Sequence, residues 1–195
     1  MMRLVIRSWY PVAAGRSPAV RGAAVCVYTS GMTSKPVHTA KVTDRRELHF
    51  ESADDVLSDL ERILLAPSVR TAGNWTVGES LDHVAKLIRF AYDGFPFKAP
   101  IAIRLLGRIV RVVAFGKPIP AGLKLRGASE ALLPEKGVDR VTGAERLRIQ
   151  LQRMRGGEKM TQPSPVFGRL THEQWTTLQL RHAELHLSFL HPEEA

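Results

Sequence analysis

A single cysteine, Cys26, is the only thiol in this chain. One thiol excludes an intrachain disulfide, and with it a disulfide-stapled secreted scaffold, and suits a reducing compartment. Long apolar runs are missing too. No stretch approaches the roughly 20 apolar residues that span a bilayer, so no stable membrane insertion is expected and a cytoplasmic location is. Acidic residues are absent from residues 1–31, which hold Arg3, Arg7, Arg16 and Arg21. Much of the net charge of +9 comes from that stretch, and the remainder carries 24 basic and 19 acidic side chains. So mild an excess is not the footprint of a nucleic-acid binder. Strand signals are sparse, and there is neither an internal repeat nor a low-complexity tract.

The first thirty-odd residues show no sustained periodicity. Their arginines and lack of acids fit a transit-type leader, whereas a Sec signal would need a clean apolar core that is not there. We read them as sequence upstream of a true start at Met32. Residues 1–44 are thus expected to be leader and lead-in, disordered, processed or upstream, and residues 45–192 to form one domain. At 195 residues the chain is long enough to bury a real core in that domain.

What is present is helical periodicity. Ser52, followed by Asp54 and Asp55, opens a helix whose apolar face is Val56, Leu57, Leu60, Ile63 and Leu64, ending at Pro67. Thr76 and Glu79 form a capping box for a second helix, which buries Leu81, Val84, Leu87, Ile88 and Ala91 and stops at Gly94. Residues 96–141 are a long crossover containing an amphipathic segment with Arg104, Arg108 and Arg111 on one face. Thr142 with Glu145 reads as a third capping box, leading to Leu147, Leu151 and Met154 and closing at Gly156 and Gly157. The last helix, from about Leu170 to Pro192, starts with Thr171 and Gln174 and presents Trp175, Leu178, His182, Leu185 and Phe189 on one face. These features predict an all-α four-helix bundle with an extra amphipathic helix in its second-to-third connection.

Chemistry concentrates on the histidines. His182 and His186 are four apart, one turn above the other, a spacing at which two imidazoles share one metal ion. His83 lies mid-helix in the second helix. Facing the pair across a bundle, it would complete three protein ligands and leave positions open, as reactive metal sites do. A satisfied core histidine is the competing reading for His83. Glu79 is a cap carboxylate or an orienting partner of His83, and Gln179 an orienting partner of the pair or a solvated side chain. The sequence HAELH is not the zinc-protease motif, because Glu184 lies about 200° around the helix from each histidine.

The segment from Gly73 to Ala85, GNWTVGESLDHVA, resembles the second-helix motif of the DinB-like (YfiT-like) metalloenzyme superfamily: a tryptophan, a Ser/Thr cap, a carboxylate, then a histidine. The segment from Phe167 to Pro192 is similar to the last helix of a DinB-like branch catalogued as a domain of unknown function. The likeness covers about residues 45–192. It implies a four-helix bundle and a divalent metal held by His83, His182 and His186, with zinc, nickel or iron all suited to imidazole. In the wider superfamily the reactive species is a water or a thiol on the metal, and S-transferases are among its members.

Two function classes follow. One is a metal-dependent enzyme, S-transferase-like or hydrolytic, acting on a small-molecule substrate. With no cysteine near the site, thiol chemistry would need a small-molecule thiol cosubstrate, and the crossover arginines would be anion contacts from a lid or a solvated face. The other is a non-catalytic bundle that binds a ligand or partner, with the metal structural or absent. Homodimerisation through an exposed apolar face fits both.

Overall fold

The structure, a computed structural model, describes residues 36–114, 116–122 and 130–193. The leader expected over residues 1–31 lies outside the described residues. The described chain is mainly helical: α1 (Ala53–Leu65), α2 (Val77–Asp93), α3 (Ile101–Ala114), α4 (Arg140–Arg155) and α5 (His172–Leu187), with two short strands, β1 (Val69–Thr71) and β2 (Leu190–Pro192).

The starts of α1, α2 and α5 are set by reciprocal capping boxes, Ser52 with Asp55, Thr76 with Glu79 and Thr171 with Gln174. Helices α1, α2, α4 and α5 share one core. Leu60 and Ile63 from α1, Leu81, Val84 and Ile88 from α2, Leu147 and Leu151 from α4, and Trp175 and Leu187 from α5 are all shielded from solvent. Their burial supplies most of the favourable free energy, at about 25 cal/mol per Å² of apolar surface.

Helices α2 and α4 meet backbone to backbone. A Cβ on Gly143 would lie 2.5 Å from the Gly78 carbonyl oxygen, and one on Gly78 would lie 2.2 Å from that of Val138. Only glycine permits that approach.

The strands tie the segment between α1 and α2 to the chain after α5. β1 and β2 pair antiparallel, with Val69 opposite Pro192, Arg70 opposite His191 and Thr71 opposite Leu190. The Ala72 N–H continues the tie by donating to the Phe189 carbonyl at 2.9 Å. The loop carrying Trp75 is thereby fixed against the end of α5. The lead-in from residue 36 is also held. Asn74 exchanges two hydrogen bonds with the Val37 backbone (2.6 and 2.9 Å). Arg46 grips Asp59 of α1 with both terminal nitrogens (2.6 and 2.7 Å) and donates to the Leu187 carbonyl at 3.0 Å.

Three expectations need correction. The α4 cap is Asp139, not Thr142; the Asp139 carboxylate takes both the backbone N–H and the hydroxyl of Thr142, so the helix starts three residues earlier. Aspartate caps as well as threonine does, and periodicity does not choose between them. The last helix ends at Leu187 rather than at Pro192, because the chain from Leu190 joins β1. A two-stranded sheet therefore accompanies the helices. Helix α3, strongly amphipathic, leaves Ile101, Leu105, Leu106 and Ile109 exposed and settles by Gly107 onto the Val166 backbone.

The glycine contact yields a prediction. Gly143→Ala should destabilise the fold by about 2–3 kcal/mol in urea denaturation, since the clashing atoms are backbone and cannot rotate away. A loss below about 0.5 kcal/mol would mean the two backbones do not meet there.

Candidate metal centre

His83 projects from α2, and His182 and His186 project from successive turns of α5. The fold brings the three rings to one point. Their centroids lie 4.5–5.0 Å apart, and one nitrogen from each falls within 4.8 Å of the others. The His83 and His182 Nε2 atoms are 3.2 Å apart. Trp75, just ahead of the α2 cap, walls one side. Its indole stacks on His186 at 5.3 Å and leans on His83 at 4.6 Å.

The His83 ring is oriented by a carbonyl. Its Nδ1–H donates to the Leu132 oxygen at 2.6 Å; a carbonyl only accepts, so Nε2 is left bare and aimed at His182. The Leu132 carbonyl is held in turn through Asp82, one residue before His83 and buried. Asp82 accepts from the Glu135 N–H (2.8 Å) and pairs with Lys86 (2.9 Å) and Arg146 (2.7 Å), while Lys86 also donates to the Leu133 carbonyl at 2.9 Å. Burial alone would raise the Asp82 carboxyl, but the Glu135 amide, Arg146 and Lys86 together hold it below its ordinary value. The segment over residues 132–135 is clamped to α2 with its carbonyl facing the imidazole.

All three imidazoles are pushed toward the neutral form. Desolvation lowers His83 to about 4, against the stabilising pull of the Leu132 carbonyl and the nearby Asp82 charge. His182 and His186 are driven well below the usual histidine range, first by burial and then by the neighbouring histidines. His182 Nδ1 is buried with no hydrogen-bond partner.

The other residues singled out from sequence fall as follows. Glu79 caps α2 and accepts from the Gly137 N–H at 3.3 Å; His83 is oriented by Leu132 instead. Gln179 is neither solvated nor bonded to a histidine. It is buried and donates to the Leu87 carbonyl at 3.3 Å, bridging α5 to α2. Glu184 faces the lead-in, accepting from the Phe50 N–H at 2.6 Å and from Arg181. Arg104 and Arg108 are exposed, and Arg111 is engaged by the Arg169 carbonyl and Gln174.

Sequence reasoning missed Leu132 and Asp82. A backbone carbonyl in an aperiodic segment leaves no side-chain signal. The pattern Asp82 to Lys86, an i,i+4 pair, was visible but reads as an ordinary surface pair. The histidines open onto a cavity of about 610 Å³ between α2, α5 and the loops around residues 119, 132 and 165.

The sign of the pH dependence follows from the depressed histidines. An imidazole near 6.5 in the unfolded chain and about 4 in the fold makes the unfolded state bind more protons below pH 6.5. Stability is full above that value and falls as pH drops toward the folded value. For chelator-treated protein we expect unfolding at pH 5 to be easier than at pH 7.5 by roughly 2 kcal/mol from His83 alone. His83→Gln should flatten the slope, and a wild-type profile already flat would overturn the buried neutral state.

No curated protein and no solved structure matches the chain. A family model matches residues 42–193, which include α1 to α5, both strands and all three clustered histidines. The chain belongs to the family described as Protein of unknown function (DUF1569).

Proposed function

We propose that the chain is a divalent-metal-dependent enzyme on a DinB-like four-helix bundle, with His83, His182 and His186 as the protein ligands. The observation that carries this is the convergence of three neutral imidazoles from two helices. The His83 and His182 nitrogens stand 3.2 Å apart. Two nitrogens at about 2.0–2.1 Å from a tetrahedral zinc are separated by about 3.3 Å. His83 also has the hydrogen-bonded Nδ1 of metal-binding imidazoles, whose second nitrogen is fixed by a carbonyl or carboxylate. Histidines this easily kept neutral offer their lone pairs without proton competition near pH 7. The bundle assignment draws on the shared core of α1, α2, α4 and α5 and the long connection between α2 and α4.

A divalent ion held there supplies Lewis acidity, lowering the pKa of a water or a small-molecule thiol beside it. The chain's own contribution is placement. Trp75 packs against the His83 and His186 rings, the Leu132 carbonyl keeps the His83 proton on Nδ1, and the cavity walls limit water around a bound substrate. Three histidines leave at least one position for the reacting partner, which favours a hydrolytic or S-transferase-like reaction over a closed structural site. Zinc, nickel and iron all suit the donor set.

Elemental analysis tests the reading. Wild type purified in chelator-free buffer should carry about one equivalent of zinc, nickel or iron, and His83→Ala and His186→Ala should each lose most of it. Metal-loaded wild type should convert electrophiles with water or an added thiol, and chelation should stop this with little change in melting temperature. Failure to take up any of the three metals would sink the metal reading. A metal whose removal collapses the melting temperature, without turnover, would make the protein a non-catalytic module pinned by its ion.

A further inference from the structure

The cavity over the histidines is unusual in what its wall omits. Among the described residues that line it there is no Asp, Glu, Lys or Arg. Besides Thr39, Ser80 and the Trp75 indole N–H, the polar groups in the wall away from the histidines are already engaged. The Asn74 amide is bound on both sides to the Val37 backbone. Ser164 Oγ accepts from the Val166 and Phe167 N–H groups at 3.3 and 3.1 Å. The Trp175 indole N–H donates to the Gln162 carbonyl at 3.0 Å. What faces the space is aromatic and aliphatic: Trp75, Phe95, Trp175, Leu178, Leu185 and Phe189.

A ligand entering this space trades water for apolar contact. An ionised group carried to the wall loses its hydration and meets no countercharge, a cost that apolar contact does not offset. A volume of about 610 Å³ is ample for a molecule of one or two rings. Arg104, Arg108 and Arg111 do not alter this, because none of the three lines the cavity.

We propose that this cavity is the binding site for an uncharged, predominantly apolar small molecule, with the histidine cluster as its most polar region. The inference rests on the metal reading for which end of the ligand reacts, and on the wall alone for the ligand's class. It favours neutral aromatic or alkyl compounds as substrates over carboxylate-bearing thiols.

A matched pair of fluorophores separates charge from shape. N-phenyl-1-naphthylamine is uncharged, and 8-anilino-1-naphthalenesulfonate is the same skeleton with a sulfonate. Both are titrated into the full chain after chelator treatment, and again with zinc added. In the chelator-treated protein the neutral probe should bind at least about tenfold more tightly than the sulfonate. Leu178→Trp, one turn before His182, should fill the space and weaken the neutral probe by about tenfold. Leu133→Arg, at an exposed rim position, should bring the sulfonate to within about threefold of the neutral probe and is unlike Leu178→Trp in leaving the core untouched. Parity of the two probes in wild type, or neutral-probe binding indifferent to both variants, would overturn the proposal. Because the comparison runs without metal, failed zinc uptake with intact probe selectivity would remove only the metal reading. Zinc uptake with equal probe affinities would remove only the ligand class.

Discussion

Three imidazoles, one buried and two half-buried, drawn to one point and pushed toward the neutral form are the constraint around which the fold is arranged. Imidazole is polar, and a buried polar nitrogen without a partner is costly. Here the His83 Nε2 faces another Nε2 at 3.2 Å, and the His182 Nδ1 has no partner at all. A core optimised for stability alone would place leucine at such positions. The surrounding residues instead hold the rings in register: Trp75 stacked on one side, the Leu132 carbonyl on another, and α5 presenting two histidines a turn apart.

Support for that point extends well beyond the rings. Asp82 sits next to His83 in sequence yet acts on it from the far side, by fixing the segment whose carbonyl orients the ring. The glycine contact between α2 and α4 brings their backbones together, with Arg146 of α4 reaching the same carboxylate. The short sheet fastens the Trp75 loop, which leads into α2, to the chain after α5. Each feature is modest alone, and together they leave the cluster few ways to relax.

Much of this was legible in the residues. Capping pairs at Thr76 and Thr171 marked two helix starts, because a hydroxyl and a carboxylate or amide three residues apart satisfy the same two backbone donors wherever they occur, and Ser52 ahead of two first-turn aspartates marked a third. Helical spacing put His182 and His186 on one face, and the meeting of His83 with them needed only α2 and α5 to be neighbours. Other features were not legible. Thr142 fits a cap as well as Asp139 does, and the choice depends on where the preceding chain turns. Strands of three residues carry too little alternation to detect. Gln179 looked solvated because a helix surface usually keeps glutamine wet, whereas here α5 is enclosed on that side by α2. The apolar wall is legible only in three dimensions, since it is assembled from segments as distant as Thr39 and Phe189.

X-ray absorption at the metal edge probes the histidine centre most directly. With zinc bound to the full chain, three imidazoles should contribute first-shell nitrogens at about 2.0–2.1 Å, with the outer-shell scattering of histidine rings, beside one oxygen ligand from water. A first shell of oxygens without imidazole outer-shell features would contradict a centre built from His83, His182 and His186.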